Sequence, residues 1–200
     1  VARELKAHGL APVVIPNGVD TDRFRPGRKP PVLKVAYVGR VDATKRRALS
    51  ELILAVRGIP GAQLAVASNE RPAAPGVAAL GWVEDVAAVL AESHVVCGAG
   101  RAIREGMACG AIGIVLGSRY GGPVTPDRCE GEAIPSFGGA EGDWPRSGRI
   151  RADIVRLTQD AATRERLAAW SRDFACRRFS LDDTAAAVVR VYESAGAGRP

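Results

Sequence analysis

The most constraining feature of this sequence is an alternation that runs from residue 32 to residue 116. Short apolar, β-rich runs occur at 32–39 (VLKVAYVG), 63–67, 94–97 and 111–116, with 77–82 a further candidate. Between them lie segments with helical spacing: 45–57, with Leu49, Leu52, Ile53 and Val56 on one face; 83–93, with Val86, Val89 and Leu90; and 101–109. Strands that alternate with helices build βαβ units, so the fold class is α/β, a parallel sheet flanked by helices. The composition agrees. Aromatic residues are only 5% of the chain, so the core must be Ala, Val, Leu and Ile, as in a sheet covered on both faces. Such sheets bind ligands beyond the C-terminal ends of their strands. The loops after Gly39, Ala67, Trp82, Cys97 and Leu116 are therefore where chemistry is expected.

The flanks are different in character. Two hundred residues suit one domain, or one domain with a helical appendage. Residues 1–10 have a helix-like pattern with no partner upstream, which leads us to expect an excerpt of a longer protein or a processed product. Residues 11–15 form an apolar run, predicted as a strand, that stops at the turn signal Pro16-Asn17-Gly18. Residues 25–31 are rich in Pro, Gly and basic side chains and read as a linker. Residues 117–148 are rich in Gly and Pro and longer than an ordinary connection, which marks a functional loop or a mobile one. From 149 to 194 the pattern is helical, with Asp160 and Ser180 as N-caps and Asp183 three residues beyond the second.

Several function classes are disfavoured. No apolar run approaches the ~20 residues of a membrane helix, and no secretory signal opens the chain. The four cysteines (Cys97, Cys109, Cys129, Cys176) contain no CxxC pair and there are only two histidines. This argues against a zinc site and for reduced thiols in a cytoplasmic protein. The net charge of +6, carried mostly by arginine, calls for an anionic partner. The basic residues are scattered, without interleaved aromatics, which speaks against a nucleic-acid stripe.

Two constellations carry chemistry. In the first, Cys97-Gly98-Ala99-Gly100-Arg101 joins a strand to a helix bearing Glu105. Small residues admit close backbone approach, and a helix N-terminus offers free N–H groups to an anion. Glu105, one turn in, lies within reach of a sugar hydroxyl on the same ligand. Read alone, the segment is equally a tight turn with a solvated glutamate. In the second, Gly39-Arg40 closes a strand and Lys45 stands at the mouth of the next helix. A guanidinium fork and an ammonium point charge five residues apart suit a diphosphate, although each is also an ordinary surface cation. His8 and His94 read as structural, Arg119-Tyr120-Gly121-Gly122 as a Gly-rich turn, and Arg177-Arg178 as a solvated face.

Four blocks in register resemble the group-1 glycosyltransferases of the GT-B fold. Val14-Ile15-Pro16-Asn17-Gly18-Val19-Asp20, with Phe24 and Pro26, resembles their interdomain segment. Tyr37-Val38-Gly39-Arg40 with Lys45 resembles their phosphate-binding Gly-Arg and Lys. Gly81, then Arg104-Glu105-Gly106-Met107-Ala108-Cys109-Gly110, is similar to their Glu-Ala-Met-Ala-x-Gly block, and Phe179-Ser180 to their closing segment. The resemblance spans roughly residues 13–192. It implies one Rossmann-like half of a GT-B fold, the C-terminal one: residues 1–30 would be the end of an N-terminal domain and the linker, and 31–195 the nucleotide-sugar-binding domain with C-terminal helices. Arg40 and Lys45, with the backbone of Gly98, Ala99, Gly100 and Arg101, would then hold the donor diphosphate, Glu105 the ribose, and Trp82 and Val83 would lie near the base. Trp82 reads as readily as a core residue. The donor is the substrate, and neither a further cofactor nor a metal is expected. Catalytic and acceptor-binding groups would belong to the missing domain in cis, and membrane association would come only through the acceptor.

One departure stands out. The family carries a second Glu upstream of the position of Glu105, near the donor sugar, where this chain has Cys97. Two other readings remain open: a non-catalytic nucleotide-binding module, and a dinucleotide-binding oxidoreductase domain. The latter would use Gly98-Ala99-Gly100 as its fingerprint and Arg119 for a 2′-phosphate, although Ile103 stands where that fingerprint wants Gly or Ala.

Overall fold

The computed structural model describes residues 5, 7–129 and 137–196. Six strands form one sheet: β1 (Lys34–Val38), β2 (Gln63–Ala67), β3 (Val77–Ala79), β4 (Val95–Gly98), β5 (Ile112–Leu116) and β6 (Tyr120–Pro123). Their order is β3-β2-β1-β4-β5-β6. The first five strands are mutually parallel, and β6 turns back antiparallel on β5. The chain order therefore reverses direction between β1 and β4. The register there sets Val38 beside Gly98, so the loops after both strands emerge side by side. A crevice at such a switch point is the usual ligand site of an open α/β sheet.

Among the described residues seven helices accompany the sheet: α1 (Arg46–Arg57), α2 (Val86–Ala91), α3 (Arg101–Ala108), the single turn α4 (Pro126–Cys129), α5 (Ser147–Thr158), α6 (Ala161–Phe179) and α7 (Leu181–Gly196). The side-chain period of two sends alternate residues of each strand to opposite faces. Thus Val95 and Cys97 of β4 join Leu49, Leu52 and Val56 of α1 and Ile150 and Ile154 of α5 in one core. Val96, between them, joins Leu90 of α2, Ile103 and Met107 of α3 and Phe174 of α6 in the other. Gly106 is what lets α3 lie close to β4: a Cβ there would stand 2.3 Å from a Val96 methyl.

The helix boundaries follow their caps. Asp160 accepts from the Thr163 backbone N–H at 2.7 Å and starts α6. Ser180 accepts from Asp183 N–H at 3.3 Å and starts α7. Gly110, at φ 66°, stops α3 in the left-handed conformation that glycine tolerates.

Three expectations change. The run at 11–15 is not a strand: no neighbour among the described residues offers it a ladder, and Val13 and Val14 remain exposed. The candidates at 77–82 and 83–93 shorten to β3 and α2, because the turn between them, with Gly81 at φ 71°, takes up the ends. The Gly- and Pro-rich stretch after 116 contains β6, whose glycines lack the strand signature, and the turn α4. Residues 130–136 of that stretch, and residues 1–4 and 6 of the helix-like segment 1–10, lie outside the described residues.

The segment 19–24 is held to the sheet domain at two points. Val19 forms a parallel bridge with Ser180: Val19 N–H donates to Phe179 O at 2.7 Å, and Leu181 N–H donates to Val19 O at 3.1 Å. The Arg172 guanidinium donates to the carbonyls of Thr21, Phe24 and Ala108, the last at the C-terminal end of α3. Lys29 donates in turn to the carbonyls of Ser93 and Cys109, where α2 and α3 end. Burial lowers its pKa to about 8.

Candidate functional site

The first wall of the crevice is the loop from Gly39 to Lys45. Gly39 has φ 150° and nothing within 4 Å of where a Cβ would stand, so the backbone there faces open space. Arg40 is exposed and has no carboxylate within ion-pair distance among the described residues. The loop is kept in shape by Asp42, which accepts from the backbone N–H of Thr44 (2.9 Å) and Lys45 (3.2 Å) and from the Thr44 hydroxyl (2.6 Å). The Thr44 hydroxyl foremost, then the Lys45 ammonium and the Thr44 N–H, lower the Asp42 pKa to about 2. The half-buried Lys45 ammonium lies 3.3 Å from Asp42. An ammonium tethered at the first turn of α1 can be shared with an incoming phosphate.

Asn69, beyond the end of β2, clamps the same loop. Its Oδ1 accepts from Val41 N–H at 2.7 Å and its Nδ2 donates to Val41 O at 3.0 Å. The sequence marks the loop after Ala67 as a site loop but offers no signal for this role. Arg46, at the start of α1, makes a forked pair with Glu70 at 2.8 and 3.1 Å, which ties the two loops together again.

The second wall is the β4–α3 turn. Gly98 packs so closely on β1 that a Cβ would stand 2.6 Å from the Val38 carbonyl oxygen. Gly100 caps α3 at φ 62°, ψ −117°. Of the four residues expected to offer backbone donors, Gly100 has already spent its N–H, on the Phe137 carbonyl at 2.6 Å. Glu105 is buried, 7% exposed, and its Oε1 accepts two bonds from Arg101, at 2.9 and 3.2 Å. Arg101 therefore covers the carboxylate, and a ribose hydroxyl would have to displace or share that guanidinium.

Trp82 is not a core residue, since 70% of its surface is exposed; its neighbour Val83 is half-buried. Both follow β3, on the same C-terminal side of the sheet. Cys97 is fully buried among the core residues of the α1 and α5 face, and its thiol pKa is pushed up by that burial. It faces away from the crevice. His94 is a structural residue at the opposite edge: its Nδ1 accepts from Lys34 N–H at 3.1 Å, and its backbone N–H donates to Lys34 O at 2.8 Å. Burial lowers its pKa to about 4.

Beyond β5 the chain adds a feature absent from the sequence reading. Gly117 and Gly139 meet backbone to backbone, and Ala99 touches the same spot, so residues 137–144 lie along the sheet edge beside the β4–α3 turn. They bring Trp144 to Arg119, whose guanidinium carbon sits 3.7 Å from the ring centroid, and to Arg47 of α1 at 5.4 Å. Among the described residues no group of His, Cys, Asp and Glu is arranged to hold a metal ion. Nor is any helix among them long and apolar enough to cross a membrane.

No family model matches this sequence, and no curated protein sequence matches it. The fold does match solved structures. Sucrose-phosphate synthase from Thermosynechococcus elongatus superposes with a TM-score of 0.70 at 20% identity, over 94% of this chain and 53% of that one. HepE of Anabaena, solved in complex with UDP-glucose, gives 0.67 at 16% identity over 91% and 57%. The C-terminal domain of LpcC, a group-1 glycosyltransferase of Francisella tularensis, gives 0.58 at 16% identity, over 82% of this chain and 100% of that domain. The chain thus has the fold of the C-terminal, Rossmann-like half of the GT-B group-1 glycosyltransferases. It spans about half the length of the first two.

Proposed function

We propose that this chain is the donor-binding half of a glycosyltransferase that uses a nucleoside-diphosphate sugar. One observation carries the reading: at the β1/β4 switch point, a loop with two cations, Arg40 and Lys45, stands beside a helix N-terminus with small residues, Gly98 to Gly100. A polyanion placed between them gains a guanidinium fork, an ammonium and the positive end of a helix. In this reading Arg40 and Lys45 bind the diphosphate, with the N–H groups of Gly98, Ala99 and Arg101. Glu105 takes the ribose once Arg101 swings aside, and the base lies by Trp82 and Val83. The donor is itself the substrate, and the reading calls for no cofactor.

Residues 1–30 belong in this reading to the end of a preceding domain and its linker, and 31–195 to the donor domain. An apolar strip supports it. Val13 and Val14, 67% and 69% exposed, border a groove shared with Ala187 and Val191 of α7. A preceding domain would cover that strip. The isolated chain should then bind donor but transfer nothing.

The oxidoreductase reading fares worse on geometry. Its Gly-x-Gly turn follows β4 rather than β1, Ile103 fills the core, and Arg119 is stacked on Trp144. Calorimetric titration with UDP, GDP, ADP, the matching nucleosides and NADPH tests the choice. One diphosphate should bind more tightly than its nucleoside; preferential NADPH binding would overturn the donor reading.

A further inference from the structure

The arginines around Trp144 have no part in the donor site described above. Arg47 comes from the first turn of α1, Arg119 from the β5–β6 turn, and Arg146 and Arg149 from the start of α5. With Trp144 and Asp143, the last two line an open cleft of about 380 Å³. Asp143 pairs with Arg149. Arg47, Arg119 and Arg146 have no carboxylate within ion-pair distance among the described residues. Glu51 of α1 also reaches this spot, but its carboxylate accepts from the Ser147 N–H at 2.6 Å and caps α5. Two guanidiniums thus line the cleft and two more lie over the Trp144 ring, with two carboxylates beside them, Asp143 and Glu51.

The indole explains how like charges are held together. The Arg119 and Arg47 guanidiniums lie over its ring, where the quadrupole attracts cations. Arg149 lies over the Tyr120 ring in the same way, 5.6 Å from its centroid. A stacked guanidinium keeps its N–H edge free, and that edge matches a carboxylate or phosphate fork. Tyr120 is itself fixed by its hydroxyl, which donates to Asp153 at 2.8 Å. These aromatic contacts orient the cations without neutralising them.

We propose that this cleft is a second anion subsite, separate from the diphosphate site, that takes the carboxylate or phosphate of an acidic sugar. It stands on the same sheet edge as the donor loops: Arg47 is two residues beyond Lys45, and Gly139 packs against Ala99 and Gly117. The inference rests on the donor reading for the sugar, and on the cleft alone for the anion. The acidic sugar is either the one carried by the nucleotide or the one that accepts.

The test uses the whole chain, ¹⁵N-labelled, with the Trp144 indole N–H assigned from a Trp144→Phe variant. Glucuronate and glucose 6-phosphate should shift that signal saturably, and glucose should not. Arg119→Gln or Arg47→Gln should weaken glucuronate about tenfold, one charge-assisted bond's worth. Saturating UDP, GDP or ADP should leave the affinity for glucuronate unchanged. Equal shifts with glucose, indifference to both arginine variants, or displacement by a nucleoside diphosphate would each overturn the subsite. UDP-glucuronate binding more tightly than UDP-glucose assigns the anion to the donor. A glucuronate-ended disaccharide that binds with or without nucleotide assigns it to the acceptor. A chain that binds glucuronate but no nucleoside diphosphate keeps the subsite and loses the donor reading; the converse loses the subsite.

Discussion

Arg101 and Glu105, one helical turn apart on α3, are joined by two hydrogen bonds at 2.9 and 3.2 Å, with the arginine mostly exposed and the carboxylate buried. The guanidinium is a cap over the group assigned to the ribose, and this gives the two residues opposite expected effects. Glu105→Gln removes the anionic acceptor and should weaken nucleoside and nucleoside diphosphate together, by about tenfold. Arg101→Ala uncovers the carboxylate and should leave nucleoside affinity equal or higher. Calorimetry on both variants checks this; a nucleoside affinity unmoved by Glu105→Gln removes Glu105 from the site.

Arg40 and Lys45 should separate from Glu105 in the same assay. In the proposed donor site each meets only the diphosphate, so Arg40→Ala and Lys45→Ala should cost about tenfold or more in diphosphate affinity and leave the nucleoside untouched. Lys45→Ala also frees Asp42, which then faces the ligand as an uncompensated negative charge, so it should be the more damaging of the two. Equal affinity in parent and both variants would dismantle the first wall of the crevice.

Arg172 is a stability residue. Truncating it leaves the carbonyls of Thr21, Phe24 and Ala108 without their donor in a part-buried setting. Arg172→Met, which keeps most of the side-chain packing, should destabilise the domain by about 2–4 kcal/mol in urea unfolding. Loss below about 0.5 kcal/mol would mean water replaces the guanidinium.

His94 makes the fold acid-sensitive. Its pKa is about 4 in the folded chain against about 6.5 for a free histidine. Between those values the unfolded chain binds the extra proton, so stability rises with pH across the window and is lost as pH falls from 6.5 towards 4. His94→Asn keeps a possible acceptor for Lys34 N–H and should flatten that part of the profile. Urea midpoints at several pH values measure it, and an unchanged slope would assign the sensitivity elsewhere.

The alternation that defines the sheet was legible because each element carries its own period. Helix α1 and strands β1, β2 and β5 match their expected spans within one or two residues. Residues 11–15 were misread since a strand needs a partner, and apolar composition says nothing about whether one is present. β6 was missed because Tyr-Gly-Gly-Pro carries turn chemistry; its pairing with β5 is imposed by the neighbour. In the site, Gly39, Gly98 and Gly100 were readable from the backbone freedom that turns demand. The Arg101 cap on Glu105 has the i, i+4 spacing of a helix-surface ion pair, a signal present in the sequence. Asn69, Arg172 and the Trp144 cluster depend on contacts between residues 25 to 151 positions apart, for which one sequence holds no signal.

The bridge between Val19 and Ser180 has a mechanical consequence. It brings the incoming and outgoing segments to one spot, so the chain between them is a closed lasso with a two-bond knot. Load that pulls residues 16–19 away from the start of α7 is shared between these two bonds and those that Thr184 and Arg104 donate to the Pro16 and Asn17 carbonyls.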